Sequence, residues 1–176
     1  VANTGGAPNG AKFHRDGRLF IADKNLGILA LDVDTGEVKT ITNTYKTELL
    51  RGVNDLVFDA DGGLYFTEPY GSSATNPNGR VFYVAPDGST SVAAEGIAFP
   101  NGVALSPDEM QLYVGEYAAK RILSIPSQSA VNDFESPYVV GHTQGGVGAD
   151  GMAVDSEGNL YYAIFQGGAV GVISAD

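Results

Sequence analysis

Apolar and polar residues alternate in short runs, and the same order of runs returns four times along the chain. The first copy extends from Asn9 to Asp23, the second from Asn54 to Glu68, the third from Asn101 to Glu116 and the fourth from Asp150 to Ile164. Their leading polar residues are 45, 47 and 49 positions apart, close to the ~40–50-residue spacing of propeller blades. Within each copy a short apolar strand meets a tight turn at Asp16-Gly17, Asp61-Gly62, Asp108-Glu109 or Glu157-Gly158. A second apolar strand follows at Leu19–Ala22, Leu64–Thr67, Leu112–Gly115 or Leu160–Ile164. Such turns between β-rich runs mark hairpins.

Third strands are predicted at Ile28–Asp32, Val81–Ala85, Arg121–Ile125 and Ala169–Ser174, and fourth strands at Glu37–Ile41, Ser91–Ala94 and Phe134–Val140. This gives fifteen strands, with no helix longer than about a turn. The fold class is therefore all-β: a propeller of which about four blades are present, three complete and one truncated, at approximately 9–48, 51–96, 98–141 and 148–176. A four-stranded meander repeated at this period is how radial propellers hide their sheet edges. The Tyr and Phe residues of the second strands are expected to pack between blades.

In such a ring the first strand of each blade lies innermost, and all of these strands run the same way. The residues that open them, Asn9, Asn54, Asn101 and Asp150, then stand at one height around the axis. Three amides and one carboxylate are hard oxygen donors, which suit Ca²⁺ or Mg²⁺ better than a structural zinc site. Asn and Asp also suit turns that enter strands, so the same residues have a second, purely structural reading. The connections between second and third strands return to this face. The longest, Glu68–Gly79, has 12 residues, and loops of this size on a rigid scaffold are often functional. Tyr70, Tyr117 and Phe165 on these connections either wall a small pocket or pack its rim, with Glu68 and Glu116 at their starts. His142 lies eight residues before Asp150 and is a candidate proton shuttle or a solvated loop histidine.

Composition narrows the picture. The formal net charge of −11 disfavours a nucleic-acid partner. No apolar run reaches the roughly 18 residues that span a bilayer, so no membrane partner is expected. Cysteine is absent, which removes thiolate metal sites and a cysteine nucleophile. No Ser-His-Asp arrangement is readable. The chain opens on Val1 without a signal-peptide pattern, and with the incomplete repeat this points to a fragment.

Three stretches carry a family resemblance: Asn54-Asp-Leu-Val-Phe-Asp with Gly63-Leu-Tyr-Phe-Thr-Glu-Pro, Phe99-Pro-Asn-Gly-Val-Ala-Leu-Ser-Pro-Asp, and Asp150-Gly-Met-Ala-Val-Asp with Asn159-Leu-Tyr-Tyr-Ala. In combination they resemble the sugar-lactone lactonases, a family that includes gluconolactonase and regucalcin. The resemblance implies a six-bladed propeller with a catalytic divalent metal in its channel: Ca²⁺ first, with Mg²⁺, Zn²⁺ or Mn²⁺ as alternatives. It implies that Asn101 and Asp150 are metal ligands, and that Asn54 is a ligand or holds the metal-bound water. Asn9 matches no family ligand and is expected to line the site. The family's Glu-Gly-Pro ligand motif would lie upstream of Val1, and Glu95-Gly96-Ile97 does not replace it. A partner chain or missing segments would complete the ring. The implied activity is hydrolysis of a lactone by metal-activated water, with Asp150 as the carboxylate that binds metal and acts as, or orients, the general base. Alternatives are a phosphotriesterase of organophosphates on the same scaffold and a non-catalytic binding propeller.

Overall fold

The computed structural model describes residues 2–130 and 137–175. Strands β1 (Pro8–Phe13), β2 (Leu19–Asp23), β3 (Gly27–Leu31) and β4 (Val38–Thr42) form the first sheet in that order. A small hairpin, β5 (Thr44–Tyr45) and β6 (Glu48–Leu49), leads into the second sheet. That sheet consists of β7 (Leu56–Phe58), β8 (Leu64–Glu68), β9 (Gly79–Val84) and β10 (Thr90–Ile97). The third contains β11 (Pro100–Leu105), β12 (Gln111–Glu116), β13 (Arg121–Pro126) and β14 (Tyr138–His142). The fourth contains β15 (Gly148–Val154), β16 (Leu160–Phe165) and β17 (Ala169–Ile173). Every pairing joins sequence neighbours, so each sheet is an antiparallel meander and the four sheets stand as blades of a β-propeller. The helical content among the described residues is one 3-10 turn, Tyr117–Ala119.

Two differences from the sequence expectation stand out. The β5–β6 hairpin was not anticipated, because its strands of two residues each are too short to show apolar alternation. The fourth strand of the third blade begins at Tyr138 rather than Phe134, and 134–136 of the expected span lie outside the described residues. The hairpin turns follow backbone chemistry. Gly17, Gly62 and Gly158 occupy the same turn position at φ 90°, 91° and 91°, whereas Glu109 takes it at φ 60° in the third blade. A side chain is tolerated there at some conformational cost.

Three apolar layers hold the blades together. Phe20, Ala22, Ile28 and Ala30 of the first blade pack on Leu56, Leu64, Phe66 and Phe82 of the second. Tyr65 and Val81 of the second meet Val103, Leu112, Val114 and Ile125 of the third. Ala104 and Ile122 of the third meet Ala149, Met152, Leu160 and Tyr162 of the fourth. The second-strand aromatics thus fill the inter-blade layers, where area removed from water supplies the main driving force, roughly 25 cal/mol per Å². The far faces of the end blades are open: Phe13 is 66% exposed on the first, and Val170 and Val172 are 65% and 56% exposed on the last.

Candidate metal centre and channel mouth

The four repeat-opening residues share one local irregularity. Pro8 pairs with Asp23 and Ala11 with Ile21, so Asn9-Gly10 together face the single residue Ala22. Asn101-Gly102 face Gly115 and Asp150-Gly151 face Ala163 in the same manner. In the second blade the Asn54 N–H donates to the Thr67 carbonyl at 3.0 Å and the Thr67 N–H donates to the Asp55 carbonyl at 3.0 Å. Asn54-Asp55 therefore face Thr67, and regular pairing resumes at Leu56 with Phe66. A β-bulge of this kind bends the strand and re-aims its side chains. Here it recurs at one level in every innermost strand, opposite Ala22, Thr67, Gly115 and Ala163.

Contacts between neighbouring inner strands bring these bulges side by side. The Gly10 N–H donates to the Asn54 carbonyl at 2.9 Å. The Thr67 hydroxyl donates to the Asn101 carbonyl at 2.7 Å. A Cβ on Gly102 would overlap the main-chain carbonyl of Asp150, so glycine is needed for that close approach. Asp55 takes the position that glycine holds in the other three copies, and its side chain links strands. Its carboxylate accepts from the Leu56 N–H at 2.9 Å and from the Val103 N–H at 3.2 Å. Burial raises the Asp55 pKa, and the charge of Asp150 adds to the rise, while the two N–H groups and Lys12 pull it back. Tyr117 is likewise pushed up, by burial and then by Asp150.

Asn101 is 6% exposed, Asn54 and Asp150 are half-buried and Asn9 is exposed. Among the described residues, none of these four side chains has a hydrogen-bond or ion-pair partner in the protein. The carboxamide of Asn101 keeps access to solvent, since Thr143 Oγ1 is the fully buried side-chain atom left without a partner among the described residues, and a cation or water can contact it. The donor chemistry, amide and carboxylate oxygen, fits Ca²⁺ or Mg²⁺. Among the described residues no three His, Cys, Asp or Glu side chains form a metal-holding group, so the amides must provide much of any coordination.

A cavity of about 260 Å³ is lined by Asn9, Asn54, Tyr70, Phe99, Lys24 and Gly52 among others, but not by Asn101 or Asp150. Phe99 was not anticipated. It sits two residues before Asn101 in a left-handed backbone conformation, φ 60°, which is uncommon for a bulky side chain. Its ring lies 5.3 Å from that of Tyr117, and Tyr117 lies 6.0 Å from Phe165. The structure thus brings Tyr117 and Phe165 together with Phe99 in one aromatic row, and sets Tyr70 on the cavity beside Asn9 and Asn54.

Glu68 lines a larger cavity beside Tyr70, and it, Glu116 and His142 also have other surroundings. The Glu68 carboxylate is turned into the protein, accepting from the Arg51 N–H at 2.8 Å and pairing with Arg80 at 2.6 Å. Glu116 does the same in the next blade, accepting from the Ala98 N–H at 2.9 Å and pairing with Arg121. Asp23 takes the Ala7 N–H at 2.9 Å in the first blade. These carboxylates latch the backbone that enters each inner strand and so position the bulges. The third, His142, is exposed at the end of β14, opposite Arg121; the outermost strand of a blade does not reach the inner strand mouths.

Comparison with known proteins follows from this propeller and its ring of bulges. The profile of the SMP-30/Gluconolactonase/LRE-like region matches residues 1–176, and the chain belongs to this family. It is 37% identical over 175 residues to lactonase drp35 of Staphylococcus haemolyticus, covering 93% of this chain and 52% of that protein. Its fold matches a gluconolactonase from Xanthomonas campestris with a TM-score of 0.83 at 26% identity, over 96% of this chain and 59% of the other. It also matches the calcium-binding protein regucalcin from Agrobacterium tumefaciens with a TM-score of 0.76 at 21% identity, over 96% and 57%. The chain spans about half the length of the curated relatives it matches.

Proposed function

We propose that this chain contributes the ligand-bearing blades of a metal-dependent hydrolase that opens a sugar lactone or a related cyclic ester. The observation that supports this reading is the bulge repeated at one level in all four inner strands, whose opening residues carry oxygen donors without a protein partner among the described residues. Kinship with a lactonase and the resemblance to a gluconolactonase fold favour a lactone as substrate. Asn54, Asn101 and Asp150 would hold the cation, with Ca²⁺ favoured by the donor set, and Asn9 would line the mouth. When bound, a divalent cation supplies Lewis acidity toward a carbonyl oxygen and makes water more acidic.

The chain's own residues then have defined tasks. Asp150 is the carboxylate at the bulge level whose oxygens make no protein bond, so it orients the attacking water and accepts its proton. Asp55 holds the second and third inner strands in register through the Val103 N–H. Phe99 and Tyr117 give the mouth an apolar wall that keeps bulk water from one side of the ester.

The test is proton release on lactone opening, with Ca²⁺, after EDTA and after Ca²⁺ is restored, with a phosphotriester run in parallel. Lactone turnover lost with chelator and regained with the ion is expected. Turnover that persists in EDTA overturns the metal role, and turnover of the phosphotriester alone overturns the lactone.

A further inference from the structure

Three cavities meet at Tyr70. The ~260 Å³ one holds Asn9, Asn54 and Lys24. A second, of about 310 Å³, holds Lys24, Asn43 and Arg51. A third, of about 740 Å³, holds Arg51 and Arg80 together with the acids Glu48 and Glu68. Tyr70 lines all three. Its position is built in by the backbone beneath it. Gly52 adopts φ 66°, and a Cβ there would come within 2.9 Å of the Tyr70 Cβ, so glycine makes room for the tyrosine on the connection that leads to Asn54. The Gly52 N–H donates to the Lys24 carbonyl at 2.9 Å, which ties this connection to the first blade. The Arg51 guanidinium lies 5.9 Å from the centre of the Tyr70 ring.

Lys24 and Arg51 share the ~310 Å³ cavity with Tyr70, and no acidic side chain lines it. The chain carries a formal net charge of −11, and among the described residues four of its ten Lys and Arg side chains, Arg18, Lys39, Arg80 and Arg121, pair with an acid. Arg80, in the same large cavity, is neutralised by Glu68 at 2.6 Å and Glu48 at 3.6 Å. Among the described residues, neither the Lys24 ammonium nor the Arg51 guanidinium forms an ion pair with a carboxylate, and both residues are exposed. Two uncompensated cations beside an aromatic ring, next to the candidate ligand Asn54, make a local positive field in a negative protein. Low-dielectric walls focus such a field on an arriving anion, and a guanidinium binds a carboxylate in a forked geometry.

We propose that Lys24, Arg51 and Tyr70 form a subsite for a carboxylate carried on the lactone, so that the protein selects acidic lactones over neutral ones. This inference rests on the lactonase reading above. The ring-bound carboxylate is held by the two cations, the apolar ring of the substrate lies against Tyr70, and the ester is directed toward Asn54.

The experiment compares γ-butyrolactone with its ring carboxylate, paraconate, in the full chain and in Lys24→Gln/Arg51→Gln. The kcat/KM ratio of paraconate to γ-butyrolactone is expected to fall about tenfold or more in the variant, the size of one lost charged hydrogen bond. The ratio in the parent should also decline with added NaCl, because the attraction is screened. A ratio unchanged by the substitutions overturns the proposal. Calorimetric binding of glutarate separates this outcome from failure of the lactonase reading, since it needs no turnover. Glutarate binding to the parent that is lost in the double variant and kept in Arg51→Lys supports the subsite even where no lactone is opened. Equal binding to parent and double variant, or none to the parent, overturns it.

Discussion

The buried Thr67 hydroxyl donates to the main-chain carbonyl of Asn101 at 2.7 Å. One side chain on the second strand of one blade thereby fixes the Asn101 bulge of the next. The same hydroxyl accepts from the Asp55 N–H at 3.1 Å. Thr67→Val keeps the shape and removes both bonds, leaving a buried carbonyl and a buried N–H short of partners. A loss of roughly 2–4 kcal/mol in stability is expected, read by urea unfolding, together with weaker Ca²⁺ binding by calorimetry.

Asp150→Ala tests the ion site with little penalty to the fold. The Asp150 side chain is half-buried and has no protein partner among the described residues, so its removal should change stability by less than about 1 kcal/mol. Ca²⁺ binding and lactone turnover should both be lost. A variant that unfolds would show that the carboxylate is structural.

Glycine at the bulge has opposite worth in two blades. A Cβ at Gly102 would overlap the Asp150 carbonyl, whereas nothing lies within 4 Å of a Cβ at Gly151. Gly102→Ala is expected to destabilise by about 2–3 kcal/mol through forced displacement of the neighbouring strand. Gly151→Ala should leave the melting temperature of this chain nearly unchanged. Thermal unfolding of the two variants side by side decides it.

The Glu116 latch makes a further prediction. Glu116 is 3% exposed and joins the Ala98 N–H to Arg121. Glu116→Ala strands a buried N–H and a partly sheltered guanidinium, with an expected cost of roughly 2–4 kcal/mol. Glu116→Gln retains an acceptor and should cost less than half as much, as measured by denaturant titration.

Alkaline stability should report on Tyr83. Its hydroxyl donates to Asp59 at 2.8 Å. Burial first, and then the Asp59 hydrogen bond and charge, push its pKa well above the ordinary 10.0. The native state therefore holds this proton more tightly than the unfolded chain does. The resulting stabilisation is complete below about pH 10 and is lost as the pH rises from there through the native pKa. Tyr83→Phe should cost about 1 kcal/mol at neutral pH and flatten the decline above pH 10, as followed by urea unfolding at successive pH values.

The fold was readable because its signals are local. Each hairpin advertises itself through a turn such as Asp61-Gly62 flanked by Val57-Phe58 and Leu64-Tyr65, and the repeat multiplies that signal fourfold. The residues that open the inner strands were readable from the same register. What was hidden depends on pairing. Asn-Gly at the head of a repeat has the appearance of a turn, and the bulge appears only when Asn101-Gly102 is set against Gly115. Glu68 and Glu116 end their strands as loop-edge acids do, yet their partners Arg51 and Ala98 lie 17 and 18 residues away. His142 is near Asp150 along the chain but belongs to an outermost strand. Phe99 became visible through its backbone angle, which no composition signal reports.

The extra residue in each inner strand turns the ring into a set of interchangeable sockets. Strand pairing on either side is indifferent to whether a socket carries Asn or Asp, since the side chain leaves the ladder there. Exchanging one for the other would step the charge presented to a cation by a single unit without disturbing the blade behind it. Inserting or deleting a residue at the same point would reverse every side chain along the strand. The charge offered by the proposed cation site can therefore drift by substitution, while length at the socket is frozen.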